Sequence, residues 1–231
     1  MKVSFMSKAR LIGLAFSALL LVGATKPAAR NWNLTVAVLP SGSHLLGNPA
    51  AAAKLVTYVS YTCPHCAQFE MQADGPMRLT YVSNGKLSVE LRHLVRDPID
   101  LTVAMLTNCG PKEKFFLNHS AMMRSQSTWI RPLSKPTQAQ ITRWTTGDRL
   151  TRSRAIANDF KFYEIMATRG YDRTNIDRCL ADQAMAVRLG TMTSDASALG
   201  VNSTPSFLLN DLLLSGTHDW TLLRPQIEAR M

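Results

Sequence analysis

A strand pattern that runs directly into a Cys-Pro-His-Cys turn constrains this chain more than any other feature. Leu55-Val-Thr-Tyr-Val-Ser60 has the β-branched and aromatic content of a strand. It passes through Tyr61-Thr62 into Cys63. Pro64 then fits the first turn of a helix, where its missing N–H leaves no bond unmade. Cys66 and Phe69 continue that helix. A strand-to-helix step with cysteines at the junction implies an α/β layered fold and sets both sulfurs at one helix N-terminus.

The flanking segments fill in the layers. Asn33–Val38 reads as a strand, broken by Pro40-Ser-Gly-Ser43. Asp74-Gly75-Pro76 is expected to interrupt the first helix. Asn84-Gly85 marks a turn, and Leu87-Ser-Val-Glu-Leu91 alternates as a half-buried strand should. After Asp97-Pro98 the pattern turns helical. Asp100 is expected to cap a helix whose apolar face is Leu101, Ala104, Met105 and Cys109, stopped by Gly110-Pro111. Phe115, Phe116, His119, Met122 and Met123 suggest a second helix. Thr137 and Gln140 have capping-box spacing. Asp148 starts a helix carrying Ile156, Phe160, Tyr163 and Ala167, and Ile176, Cys179, Leu180 and Val187 follow on another. Cys109 and Cys179 thus both fall on apolar helix faces. From Gly200 strands return: Ser206–Leu209 and Leu212–Ser215 flank a two-residue Asn210-Asp211 hairpin turn. Trp220, Leu222, Leu223 and Ile227 form a closing helix. Helices inserted between a βαβ half and a ββα half give an α/β domain carrying a helical lobe.

The junction carries chemistry because the thiolate is the reactive form of cysteine. A helix N-terminus presents unpaired N–H groups and about half a positive charge, which favours an anion. Cys63 sits there and is the expected nucleophile. Cys66, one turn along, can attack a mixed disulfide and release its partner, and His65 between them can stabilise the Cys63 thiolate. Structural zinc is the alternative for such a pair, but it needs further ligands at set spacing and the sequence offers none, so no metal is expected. His44, His93, His119 and His218 share no ligand spacing and read as packing or surface residues. Met122-Met123 reads as core, with a peptide groove as the alternative.

The stretch Val56-Thr-Tyr-Val-Ser-Tyr-Thr-Cys-Pro-His-Cys-Ala-Gln-Phe-Glu70 resembles the active-site region of DsbA-type thiol:disulfide interchange proteins. Gly42-Ser-His-Leu-Leu-Gly-Asn-Pro49 is similar to the lead-in of exported, BdbD-like relatives, and Gly200-Val-Asn-Ser-Thr-Pro-Ser-Phe207 to the cis-proline loop of the thioredoxin fold. The resemblance implies a thioredoxin fold with an inserted all-helical domain. It assigns 31–98 and 191–231 to the thioredoxin-like part and 99–190 to the insertion. It also implies roles: Cys63 attacks, Cys66 resolves, and His65 with Pro64 tunes the pair. Pro205 is a cis-proline beside the disulfide, and Thr204 pairs its backbone with the substrate. Two positions depart from the family. Thr57 stands where many relatives have a buried carboxylate thought to move the resolving cysteine's proton, leaving Glu70 or water for that task; Glu70 otherwise reads as a solvated helix residue. Thr204 replaces the Val of the strongest oxidases, which puts oxidase strength in question.

The chain's address is read from its start. Lys2, Lys8 and Arg10 precede an apolar run, Leu11–Val22, and Val22-Gly23-Ala24 offers small residues for cleavage. That is a secretory signal peptide over residues 1–24, with an uncleaved membrane anchor as the alternative. A periplasmic or otherwise exported protein is expected. The formal net charge is +10, but the basic residues are scattered over helical positions without interleaved aromatics, which argues for a solvated face and against a nucleic-acid partner. In an exported chain, four cysteines allow three pairings. The close pair favours Cys63–Cys66 with Cys109–Cys179; two buried free thiols at 109 and 179 are the alternative.

The expected function is an oxidase that donates its Cys63–Cys66 disulfide to reduced secreted proteins and is reoxidised by a membrane partner, with no cofactor. A reductase or isomerase kept reduced is the second possibility, and a holdase-type binding module the third. No added dimerisation domain is visible, so a monomer is expected.

Overall fold

The computed structural model describes residues 1–2 and 30–231. All but the first two residues of the expected signal peptide lie outside them up to Ala24. The Leu55–Ser60 pattern forms β3, Ala53–Val59, buried at every position except Lys54. Near-continuous burial is what a strand covered on both faces requires. Its alternate residues divide between two apolar layers. Leu55 and Val59 join the main core, and Val56 and Tyr58 join a smaller cluster with Leu94, Ala196, Val201 and Leu208.

β3 pairs in parallel with β4, Leu87–His93. A parallel pair needs a crossover, supplied by α1, Pro64–Met77, and a π-helical turn over Arg78–Val82. The expected break at Asp74-Gly75-Pro76 does not occur. Pro76 removes a donor from the helix ladder, but the carbonyl deprived of it belongs to the exposed Gln72, which water can serve. The first expected strand is shorter than read. Trp32–Leu34 winds into a 3-10 turn, leaving β1 as Val36–Val38. A strand the sequence reading missed, β2 at His44–Gly47, joins β1 to β4 by antiparallel pairing. After the helices, β5 (Ser206–Leu209) pairs antiparallel with β3 and with β6 (Leu212–Leu213). The sheet order is β1-β2-β4-β3-β5-β6. Asn210 and Asp211 take φ of 51° and 65° in the hairpin turn, as the two central positions of such a turn require.

The helical block comprises α2 (Pro98–Thr107), α3 (Phe115–Arg124), α4 (Gln126–Trp129), α5 (Gln138–Thr145), α6 (Arg149–Asp159), α7 (Phe162–Ala167), α8 (Arg173–Ala181) and α9 (Gln183–Ala198). α10, Trp220–Glu228, closes the chain. This is the thioredoxin fold with a helical insertion expected from the sequence. The Thr137–Gln140 capping box is present, and Asp148 caps α6. The single helix read through Ile176, Cys179, Leu180 and Val187 is two, α8 ending at Ala181 and α9 starting after its cap Asp182. Three further expectations need correction. Asp97, not Asp100, caps α2, accepting from the N–H groups of Ile99 and Asp100 at 2.8 Å each. The single helix read from Asp148 to Ala167 is split at Lys161, which takes φ of 61°. Cys109 lies just past the end of α2 rather than on its face, though it is buried. α9 passes through residue 190 and packs on both α2 and β4, so it ties the insertion to the sheet. The buried Met122 and Met123 are core residues, not a groove.

Candidate active site

The backbone that delivers β3 into α1 is held by side chains from elsewhere. Cys63 is the N-cap of α1 and Pro64 its first residue. Cys63 N–H donates to Ser60 O at 3.2 Å, closing a tight turn. Behind that turn Asp100, fully buried, accepts from Ser60 Oγ at 2.6 Å, Tyr61 N–H at 2.7 Å and Arg96 N–H at 3.0 Å. Burial pushes its carboxyl up to about 7, against the donors that stabilise its charge. Thr62 Oγ1 donates to Asp97 at 2.8 Å. From the helical block, Gln126 Nε2 donates to Tyr61 O at 2.6 Å and Cys63 O at 2.9 Å. Asp100 and Gln126 thus hold the main chain of the turn from outside it, and Asp97 holds it through the Thr62 hydroxyl.

The two sulfurs meet opposite environments. Cys63 is held down to about 4, first by a hydrogen bond from the Cys66 thiol, against burial, and then by the Thr204 side chain and the backbone N–H groups of Cys66 and His65. Cys66 is pushed well above the ordinary thiol value by burial and by its proximity to Cys63. Both are free thiols in this structure. Protonated, Cys63 Sγ donates to Thr204 O at 3.2 Å. The Thr204 hydroxyl is buried and makes no hydrogen bond of normal geometry to the described residues, yet it favours the charged form of both sulfurs, as a rotor free to turn toward a thiolate would.

The Thr204–Pro205 bond is cis, and Pro205 O accepts from His218 Nδ1 at 3.1 Å. Pro64 and His65 are exposed, and no His65 side-chain hydrogen bond is made to the described residues. The structure therefore brings Cys63, Cys66, Thr204 and Pro205 together, with His65 at the rim. Cys109 and Cys179 are joined as a disulfide, Cα atoms 5.6 Å apart. Glu70 is not a solvated residue: it is 7% exposed, and its Oε2 lies 3.3 Å from His119 Nε2. His44 and His93 are buried, and burial lowers them to about 4 and about 3.

Sequence reasoning missed Gln126, Asp100 as an inward anchor, His119 and His218. Glu70 carried a usable signal, since it falls four residues after Cys66 and so on the same helix face.

Similarity to known proteins follows this geometry. The sequence pattern of the family described as Thioredoxin matches residues 40–229. A solved structure described as a protein-disulfide isomerase from Novosphingobium aromaticivorans is 54% identical. The match covers 82% of this chain and 97% of that one, with a TM-score of 0.79. Wolbachia pipientis alpha-DsbA1 shares the fold at 23% identity, covering 83% of this chain and 92% of that one, with a TM-score of 0.64. A curated protein of Rickettsia bellii (strain RML369-C), whose name assigns it provisionally to the protein-disulfide oxidoreductases, is 27% identical over 105 residues. That match takes in 45% of this chain and spans only 40% of the curated relative's length.

Proposed function

The chain belongs to the thioredoxin family, and from that premise we propose that it is an exported protein thiol:disulfide oxidoreductase acting through Cys63-Pro64-His65-Cys66. In the favoured direction it introduces disulfides into reduced secreted proteins. A substrate thiolate attacks Cys63 of the Cys63–Cys66 disulfide, and Cys66 leaves with the electron pair. A second substrate thiolate then attacks the substrate sulfur of the mixed disulfide and expels the Cys63 thiolate. Two substrate thiols become a disulfide and the enzyme is left as a dithiol, which a membrane partner reoxidises.

One observation carries this reading: Cys63 is lowered to about 4 while Cys66 is raised. A stabilised leaving thiolate lowers the free energy of the dithiol form, so electrons flow from substrate to enzyme. Thr204 and Pro205 form the surface on which substrate backbone lies, and His65 tunes the pair from the rim. Export is supported by the basic and apolar pattern of residues 1–24 and by the Cys109–Cys179 bridge, which suits an oxidising compartment. We further propose a monomer, divided into a thioredoxin-like part (31–98 and 191–231) and an inserted helical domain (99–190).

A second reading, disulfide isomerase, is favoured by the description of the Novosphingobium relative as a protein-disulfide isomerase and by Thr204 before the cis-proline. The experiment offers the protein a reduced, unfolded substrate with several cysteines and a scrambled form of the same substrate. Faster oxidation of the reduced form supports the oxidase. Efficient rescue of the scrambled form with little effect on oxidation supports the isomerase.

A further inference from the structure

Cys66 is 1% exposed, yet dithiol exchange moves a proton at its sulfur. When a thiolate attacks Cys63 of the disulfide, the Cys63–Cys66 bond breaks and the departing Cys66 thiolate takes up one proton. In the reverse step Cys66 gives that proton up as its sulfur attacks a Cys63 mixed disulfide and expels the partner thiolate. The proton must therefore reach and leave a buried atom. Thr57, on the neighbouring strand, cannot serve as its acid or base at working pH.

The molecule contains a route. A cavity of about 30 Å³ lies between α1, the sheet and α3, and Cys66, Thr57, Glu70 and His119 line it among apolar neighbours. A water needs roughly 10–15 Å³ and a few polar partners. Thr57 Oγ1 and Glu70 Oε1 are both buried without a hydrogen-bond partner among the described residues. Asp74 and Arg78 line the same cavity with partly exposed side chains, so it leads from the thiol toward solvent.

The other side of Glu70 is tied into a donor chain. Thr107 Oγ1 donates to Ala104 O, and Tyr61 OH donates to Thr107 Oγ1 at 3.0 Å. With its hydrogen committed, Tyr61 OH accepts from His119 Nδ1 at 2.9 Å. A proton is then shared between His119 Nε2 and Glu70 Oε2, 3.3 Å apart. Oε1 is left without a partner among the described residues, in a carboxylate that lines the cavity. Around the pair stand Asp74 on α1, Arg78 in the π-helical turn, Ser120 and Arg124 on α3, and His93, whose ring lies 5.7 Å from that of Tyr61.

We propose that Glu70 and His119 are the proton relay of Cys66, passing one proton to and from its sulfur through water held in this cavity. The inference rests on the dithiol function proposed above. Neither residue touches substrate; both are positioning residues that hold and move the proton. Burial raises the Glu70 carboxyl, but the charge and hydrogen bond of His119 outweigh it and keep it below its ordinary value, so a proton taken up at Oε1 is passed on to solvent. Half of the relay comes from the helical insertion, which gives that lobe a part in the chemistry.

The test follows reduced protein mixed with glutathione disulfide, quenched in acid and weighed by mass spectrometry from pH 5 to 8. Glu70→Gln and His119→Gln are compared with the unaltered protein, with circular dichroism to confirm folding. Either folded variant decides. We expect the Cys63–glutathione mixed disulfide to form at the unaltered rate but to resolve on the order of 100-fold more slowly, the low end of what positioned acid–base groups supply. Its decay should steepen toward about tenfold per pH unit, as expected when only pre-formed Cys66 thiolate can attack. Thr57→Asp, of similar size and on the same cavity, should restore the rate and flatten the profile in the Glu70→Gln background. Unchanged decay in the variants overturns the relay while leaving the dithiol function intact. So does slowing with an unchanged pH slope and no rescue, which marks a structural role. If the unaltered protein forms no mixed disulfide at Cys63, the function beneath the inference fails instead.

Discussion

The molecule holds two cysteine pairs, and almost nothing about them is alike. Cys63 and Cys66 share one helical turn, yet donors outweigh burial at one sulfur while burial and the neighbouring thiol prevail at the other, so their proton affinities part in opposite directions. Cys109 and Cys179 are separated by 70 residues and joined across the helical insertion, from the turn after α2 to α8. Cys109 O is further held by Tyr171 OH at 2.8 Å. A short, asymmetric pair gains little loop entropy from bonding and much chemical difference between its sulfurs; a distant pair gains the reverse. Under the proposed function the same bond serves reactivity in one region and stability in the other.

The sharpest way to break that contrast is to remove sulfurs from each pair in turn. Cys63→Ser should abolish dithiol exchange outright, and Cys66→Ser should instead accumulate mixed disulfides with substrates, visible on non-reducing gels. Replacing both Cys109 and Cys179 by Ala should leave exchange intact at low temperature while destabilising the fold. The chain-entropy model gives about 4 kcal/mol for a loop of this length, to be read from urea unfolding. Loss of exchange with no loss of stability would reverse the assignment of the pairs.

A smaller effect separates the pairs by pH. In the reduced protein the folded Cys63 lies at about 4, below its unfolded value of about 8.5. A depressed group contributes stability that is full above the unfolded value and is lost as pH falls through the folded one. Between pH 7 and 5 the reduced protein should therefore lose stability relative to the oxidised one, by at most about 1.4 kcal/mol per pH unit, and less after solvent screening. Cys66, raised rather than lowered, takes no part until alkaline pH. Parallel urea titrations of the two redox forms read this directly, and equal slopes would mean that Cys63 is not a stabilised thiolate. The Cys109–Cys179 bridge contributes nothing to that slope, since neither sulfur titrates.

What the sequence made legible follows the range of the interactions. The strand-to-helix junction, the Thr137–Gln140 box and the Asn210-Asp211 turn are set by neighbours, and residue types report them. The cis bond at Pro205 was reachable only through likeness to a family. β2 was hidden because His44-Leu-Leu-Gly47 neither alternates nor runs long, and it exists because β1 and β4 flank it. Asp100 looked like a cap because it begins an apolar helix face. Its carboxylate turns inward because Asp97 already satisfies the helix end and the Ser60–Tyr61 turn offers it donors. Gln126 and His119 reach the site from a helical block whose docking no local pattern encodes, so the residue that holds the Cys63 carbonyl and the one that shares a cavity with Cys66 were invisible until α3 and α4 were placed.

The finest distinction concerns His65, and it tests where the asymmetry of the reactive pair originates. Sequence spacing suggests that its side chain stabilises the Cys63 thiolate. In the structure the groups that lower Cys63 are the Cys66 thiol, the Thr204 side chain and two backbone N–H groups, one of them from His65 itself. That last donor survives substitution. The imidazole is exposed, so any charge it carries acts on Cys63 through solvent, where such attractions amount to about 0.2–1 kcal/mol. His65→Ser should therefore raise the Cys63 pKa by on the order of half a unit and make the disulfide less oxidising by about 15 mV. Thiolate absorbance during a pH titration reads the first, and equilibration with glutathione reads the second. A rise of several units would locate the source of the asymmetry in an exposed cation rather than in the helix terminus and the buried neighbour. The contrast between the two pairs would then rest on one replaceable side chain instead of on the fold.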